Sequence, residues 1–323
     1  MGRFLAGRLL QAGSIVLLAT ALTFFILHAA PGEPLVHSLE NPSVRPEVRE
    51  MQRRAFGLDR PVADQFVLFV RNVARGDLGW SFSHNRPVRA VLATAIPRTL
   101  LLMSVALIAS FALGIALGVL QGMRRRSTVD RLLTGVSLLF FSMPEFWLAL
   151  VMMAAFAYWL PLFPTSGMCD PVLCSYFTPW QRAIDVGRHL VLPATTLTLL
   201  TAAGIARFQR SAVLDAVHQD YVRTARAKGL PEGHVVRRHI LRNALVPVIT
   251  MIGLAIPLLL GGAVFVESVF AWPGMGLVVV NGIMTRDYAL VTSAVIIGSA
   301  LVSIGSLVAD VLHAIVDPRV RTV

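Results

Sequence analysis

Apolar residues run along this chain in long blocks almost free of charge, separated by short polar stretches. Six blocks reach or approach the roughly 20 residues that a helix needs to cross a hydrocarbon core. They cover residues 9–29, 99–122, 132–160, 190–206, 244–266 and 288–309. Only the third holds a formal charge, Glu145. The fourth is short, which places His189 and Arg207 at its ends. A helix satisfies its own backbone in lipid, so the pattern predicts an all-α membrane protein with six transmembrane helices. The first block ends Leu27-His28-Ala29, like a signal-peptide cleavage site, but it exceeds the roughly 7–15 residues of a signal core and is read as an uncleaved span.

Composition agrees: 55% of residues are hydrophobic and mean hydropathy is +0.69, too apolar for a soluble domain. The net charge of +11 would suit nucleic acid, but its distribution points to topology. With the N-terminus inside, sixteen of the 29 Lys and Arg fall in inner segments, against Arg182, Arg188 and Arg286 in the two short outer loops. Ten more lie in 30–98, and segments of that length are exempt from the positive-inside rule. The orientation is therefore N-in and C-in, with no nucleic-acid partner. Two regions follow: 1–98, the first helix and a long extracytoplasmic segment, and 99–323, a five-helix core with a cytoplasmic loop at 207–243 between helices 4 and 5.

Within 31–98, Pro61 opens a helix with Val62, Phe66, Phe69, Val70 and Val73 on one face, and Gly76 ends it. That apolar face belongs on the bundle or in the membrane interface. In the second block Gly114 and Gly118 form a small-xxx-small pattern, or belong to a merely glycine-rich span. Pro144 kinks the third. A carboxylate in mid-membrane costs about 2.5–3.5 kcal/mol, so Glu145 faces the bundle interior or a wet cavity, as a functional group, an internal cap or an arginine's partner. Cys169 and Cys174 lie in an outer loop, where a disulfide is permitted; the other reading is two free thiols. No third and fourth ligand accompany them, which argues against metal. Pro257, Gly261 and Gly262 weaken the fifth block, and such breaks tend to line substrate paths. Glu267 follows, as a gate or binding carboxylate or as a partner of Arg286.

The stretch 220–247, DYVRTARAKGLPEGHVVRRHILRNALVP, is basic and sits between two charge-free blocks. Apolar residues recur at Leu214, Val217, Tyr221 and Ala225 with helical spacing. Gly229 suits a left-handed cap, and Pro231 suits the first turn of a second helix bearing Val235, Val236, Ile240 and Leu241. The result is a helix–Gly–helix elbow with small residues at Thr224, Ala225 and Ala227. Read locally, it either receives another protein or anchors its neighbours to lipid headgroups.

RTARAKG followed by RRHILRNALVP resembles the cytoplasmic "EAA" loop of ABC-importer permeases, with Arg223 where the general motif has glutamate. SMPEFW at 142–147, ESVFAWPGMG at 267–276 and residues 56–82 resemble the dipeptide, oligopeptide and nickel branch. The resemblance covers nearly the whole chain. It implies a bacterial inner-membrane permease subunit with a homologous second permease, two cytoplasmic ATPases and an extracytoplasmic substrate-binding protein. The loop, with Tyr221, Arg223, Thr224, Ala225, Ala227, Lys228 and Gly229, would dock into the ATPase. Di- and oligopeptides are the leading substrates; nickel chelates, opines and sugars are alternatives. ATP and Mg would be bound by the partner subunits, not by this chain.

Catalytic constellations are missing. The single lysine, Lys228, precedes Gly229, so no Walker loop exists. Neither a His-Glu-x-x-His helix nor a Gly-x-Ser-x-Gly elbow occurs. A membrane enzyme is the weakest reading; a carrier driven by an ion gradient has Glu145 and Glu267 as its support.

Overall fold

The computed structural model describes residues 2–29, 60–261 and 263–316. Among these the chain is mostly helical. Helix α1 spans Gly2–Ala29; the side chains of Ser14 and Thr20 donate back to their own helix's carbonyls, which hides polar groups from lipid. Helix α2, Val62–Ala74, follows Pro61. Gly76, in the left-handed region at φ +83°, turns the chain out of it. A short hairpin pairs β1, Trp80–Ser81, with β2, Arg86–Pro87. Then come α3, Val88–Met123, α4, Thr128–Ser142, and α5, Glu145–Met153, which continues as a π-helical turn over Ala154–Trp159. The long α6 covers Pro179–Val217.

After α6 the elbow comprises α7, Asp220–Ala227, α8, Glu232–His234, a π-helical stretch Val235–Leu241 and α9, Arg242–Ala244. Helices α10, Val246–Gly261, α11, Val264–Val269, α12, Met275–Met284, and α13, Tyr288–Val316, complete the chain. Gly262, expected as part of the break in the fifth block, lies outside the described residues.

Four described helices are long and apolar enough to cross a membrane: α1 from Gly7, α3, α6 and α13. The pair α4 and α5 makes a fifth if counted as one span. Three sequence expectations change here. The third block is not one kinked helix. It breaks at Ser142–Pro144, and the two halves bend by 106°, because Met143 is extended and proline cannot continue the ladder. The helix that carries the fourth block is longer than the block and runs past His189 and Arg207 at both ends. Thr178 and Gln181 form a capping box that starts α6 well before the block, and the helix runs on to Val217 because polar residues are tolerated wherever lipid is absent. The helix into the elbow is also not continuous: it breaks at His218 and Gln219, where the His218 ring donates to the Leu214 carbonyl at 2.6 Å and Gln219 is extended.

The chain forms two compact units. In the first (Met1–Thr99, Leu260–Val264, Pro273–Leu307), Val88, Val91, Leu92 and Ala95 of α3 pack on Met275 and Val278 of α12 and on Leu290 and Ala294 of α13. Asp287 fastens the hairpin to this core. Its Oδ2 accepts from the hydroxyls of Ser81 (2.7 Å) and Ser83 (2.8 Å) and from the Ser83 amide (3.0 Å).

The second unit (Leu100–Leu259, Phe265–Trp272, Val308–Val323) is built on α3 against α6. A row of glycines allows this approach. A Cβ on Gly114, Gly118 or Gly122 would sit 2.6 Å from Ile205 Cβ, the Ala206 carbonyl and Val213 Cγ1 respectively. Of the two sequence readings for Gly114 and Gly118, close helix contact is the one the structure adopts. Cys169 and Cys174 form a disulfide. Beside it, the carboxylate of Asp170 accepts from the amides of Leu173 and Val172, which hold its pKa below the usual aspartate value.

Candidate functional site

The elbow rests on a small apolar base. Val213 and Ala216 from the end of α6, Val222 and Ala225 from α7, Val235 and Ile240 from the π-helical stretch, and Ala244 are all buried together. Val119 and Met123 of α3 pack against them. The buried stripe is thus Val213, Ala216, Val222 and Ala225; Ala225 falls where the spacing predicts, whereas Leu214, Val217 and Tyr221 each lie one position off, with Val217 packing on the edge of the cluster. The break at His218 shifts the helical phase, and no spacing rule anticipates it.

Ala225 therefore points into the protein, 5% exposed, while Tyr221, Arg223, Thr224, Ala227, Lys228 and Gly229 are on the surface. Gly229 adopts φ +72°, a conformation costly for other residues. Around it the amide of Leu230 donates to the Ala225 carbonyl and that of Gly229 to the Arg226 carbonyl, a glycine-stopped helix end. Arg226 reaches across the turn and donates to both oxygens of Glu232, from Nη2 at 2.6 Å and Nε at 3.1 Å. This bond holds the Glu232 carboxyl below its ordinary pKa and raises the arginine. Both partners are well exposed, so the pair sets geometry more than stability.

Behind the elbow lies a second ion pair. Arg210 of α6 donates to Asp130 at the start of α4, Nε to Oδ1 at 2.8 Å and Nη2 to Oδ2 at 2.9 Å. Asp130 also accepts from the amide of Arg126 (3.0 Å), a residue in the left-handed region at φ +62°. The Ser127 hydroxyl caps α4 by accepting from the Asp130 amide. Sequence reasoning missed this group, although Ser127-x-x-Asp130 ahead of an apolar run is a capping-box signature. Nothing local links Asp130 to Arg210, 80 residues away. Gln209, fully buried against Gly118, was also missed; its amide atoms have no partner among the described residues.

The carboxylate of the third block lies against the end of the fifth. Glu145 accepts a hydrogen bond from the amide of Val266, the residue before Glu267, and the rings of Phe146 and Phe265 lie 6.4 Å apart. Glu145 thus caps a backbone group of α11, the internal-cap reading. Its Oε1 is buried with no partner among the described residues. Glu267 is wholly buried. Pro257 is half-buried within α10, and Gly261 is that helix's last residue. Among the described residues no three His, Cys, Asp or Glu side chains are grouped to hold a metal ion.

Membrane-length helices, an elbow on a packed base and the Glu145 carboxylate beside a broken helix fit a membrane-embedded transport subunit. Residues 114–322 match the binding-protein-dependent transport system inner membrane component family and residues 1–103 match its N-terminal region, so the chain belongs to that family. It is similar to the oligopeptide transport system permease protein AppB of Bacillus subtilis, 39% identical over 99% of this chain and 100% of that one. The di/tripeptide transport system permease protein DppB of Pseudomonas aeruginosa is 36% identical over 94% of each chain. The glutathione transport system permease protein GsiC of Escherichia coli is 35% identical over 99% of each. The protein is accordingly a multi-pass inner-membrane permease subunit of an ABC importer.

Proposed function

We propose that this subunit forms half of the path by which di- and oligopeptides enter the cell, and that its elbow receives the stroke of cytoplasmic ATPases. The names of the relatives support peptides over nickel chelates, opines or sugars: oligopeptide, di/tripeptide and glutathione systems each carry a peptide. The observation that carries the coupling half is the exposed ridge of Tyr221, Arg223, Thr224, Ala227 and Lys228, ending at Gly229 on a fixed apolar base.

In this reading six helices cross the membrane with both ends inside, α4 with α5 making the third pass and α10 with α11 the fifth. A homologous second permease completes the path, and an extracytoplasmic binding protein delivers substrate. Two ATPases bind ATP and Mg, close, and favour one arrangement of the spans by binding it better. Displacement enters at the elbow, passes to α6 through Val213 and Ala216, and reaches α4 through Arg210 and Asp130. Glu145 and Glu267, beside the α4–α5 break, act at the gate.

The test is uptake into proteoliposomes holding the whole importer, with the cognate binding protein outside and ATP inside. Labelled di- to pentapeptides are expected to accumulate only with ATP. Preference of the binding protein for a nickel chelate or an opine would replace the substrate assignment. Accumulation by this chain alone, driven by a proton or sodium gradient, would overturn the ATPase reading.

A further inference from the structure

Transport coupling leaves unused a recess of about 470 Å³ in the first unit, between the end of α2 and the hairpin. Arg75, Asp77, Trp80 and Arg89 line it, with the backbone of Gly76 and Gly79. Its depth in the membrane follows from its contacts. The Ser293 hydroxyl donates to the Leu78 carbonyl at 3.1 Å, and a Cβ on Gly79 would touch Ala289 at 3.6 Å. Ala289 and Ser293 belong to the first two turns of the span Tyr288–Ala309. On the α2 side, Phe66 and Phe69 lie 5.3 and 5.8 Å from Phe24, near the end of the span Gly7–Ala29. His28 lies 5.1 Å from Tyr288. The recess therefore opens where α1 leaves the hydrocarbon and α13 enters it.

The surroundings suit an interface. No residue of α2 is fully buried, and Val67, Leu68 and Trp80 are exposed at 65%, 36% and 43%. Amphipathic helices and tryptophan favour that depth. Arg75 and Arg89 are exposed, and neither forms an ion pair with a described residue. Asp77 is turned into its own loop, where Oδ1 accepts from the Gly79 amide at 2.9 Å. Two guanidinium groups thus face the recess against one engaged carboxylate.

We propose that this recess binds the headgroup of an anionic phospholipid, with its phosphodiester held by Arg75 and Arg89 and its ester region against Trp80. Guanidinium matches phosphate by geometry as well as charge, and arginine–phosphate pairs are frequently bidentate. The site would tie α2 and the hairpin to the bilayer surface.

Native mass spectrometry of the purified importer, exchanged into detergent with equal phosphatidylglycerol and phosphatidylcholine, tests this. Wild type should retain phosphatidylglycerol selectively. The R75Q/R89Q variant should lose that retention by about tenfold or more, since one hydrogen bond to a charged group is worth about that much in affinity. R75K/R89K, which guards against a folding defect, should keep much of it. R182Q/R188Q, which removes the same charge elsewhere, should keep all of it. Equal retention of the two lipids, or undiminished retention in R75Q/R89Q, would overturn the proposal. So would displacement of the lipid by millimolar inorganic phosphate, which marks a small-anion site, or crosslinking of the recess to the acidic face of a soluble protein in place of lipid.

Discussion

Arg210 grips Asp130 with both ends of its guanidinium, at 2.8 and 2.9 Å, and so joins α6 to the first turn of α4. Arg210 stands one turn before Val213, which belongs to the elbow's base. Asp130→Asn should cost about 2–3 kcal/mol, since hydrogen bonds to charged groups contribute that much. ATP hydrolysis by the assembled importer should persist while peptide uptake falls severalfold. Arg210→Lys, which keeps the charge and loses the fork, should fall between wild type and Arg210→Gln. Uptake unchanged in all three variants would remove the pair from the coupling route.

Gly229→Val places a β-branched residue at φ +72°, at a cost of about 1–2 kcal/mol. The turn should open and uptake should drop, with membrane insertion retained. Lys228→Ala leaves the backbone alone and should lower ATPase co-purification without changing thermal stability. If Lys228→Ala and Ala227→Trp both leave ATPase binding at wild-type levels, the exposed ridge is not the docking surface.

At Gly118 the added methyl of alanine would lie 2.6 Å from the Ala206 carbonyl and from Gln209 Cβ. Backbone cannot yield as a flexible side chain does, so α3 and α6 must separate. Overpacking of this kind costs about 1–3 kcal/mol. Gly135→Ala is the control, because nothing lies within 4 Å of its added Cβ. A fall in the thermal midpoint of detergent-solubilised protein should appear for the first variant alone.

Asp287→Asn leaves an amide where one carboxylate oxygen now accepts three hydrogen bonds. The loss should be about 2 kcal/mol, local to the hairpin. Faster hydrogen exchange and proteolysis at residues 80–87, with spans unaffected, is the expected readout.

The Arg226–Glu232 bridge gives the elbow a pH dependence of known sign. Glu232 is held below its ordinary pKa by Arg226, so its contribution is complete above the unfolded carboxylate value and is lost as pH falls through the depressed one. Exposure keeps it to about 1 kcal/mol or less. The protection factor against hydrogen exchange at Gly229–Leu230, taken relative to the intrinsic rate at each pH, should be flat from neutral pH down to about pH 5 and then fall. In Glu232→Gln that acid-side change should be absent.

Much of the elbow was legible because its punctuation is local. Gly229 and Pro231 end one helix and begin another by backbone chemistry alone, and Val235 and Ile240 fall on the buried side as their pattern predicts. On α7 the burial of Ala225 was legible but that of Val222 in place of Tyr221 was not, because the break at His218 resets the helical phase. The cap of Val266 by Glu145 was only one of several readings until α5 and α11 were brought together. The first three turns of α6 were missed because hydropathy detects lipid contact and not helix length.

Sequence alone determined the helical membrane class, most of the apolar runs, the turns at Gly76 and Gly229 and the family likeness, because these depend on hydrophobicity and on backbone preferences that act within a few residues. Tertiary structure decided that the third run is two helices, that Asp130 meets Arg210, that Asp287 holds the hairpin, and that Ala225 is buried while Lys228 is exposed. Those outcomes depend on contacts between segments distant along the chain, and one-dimensional periodicity carries no information about which distant segments meet.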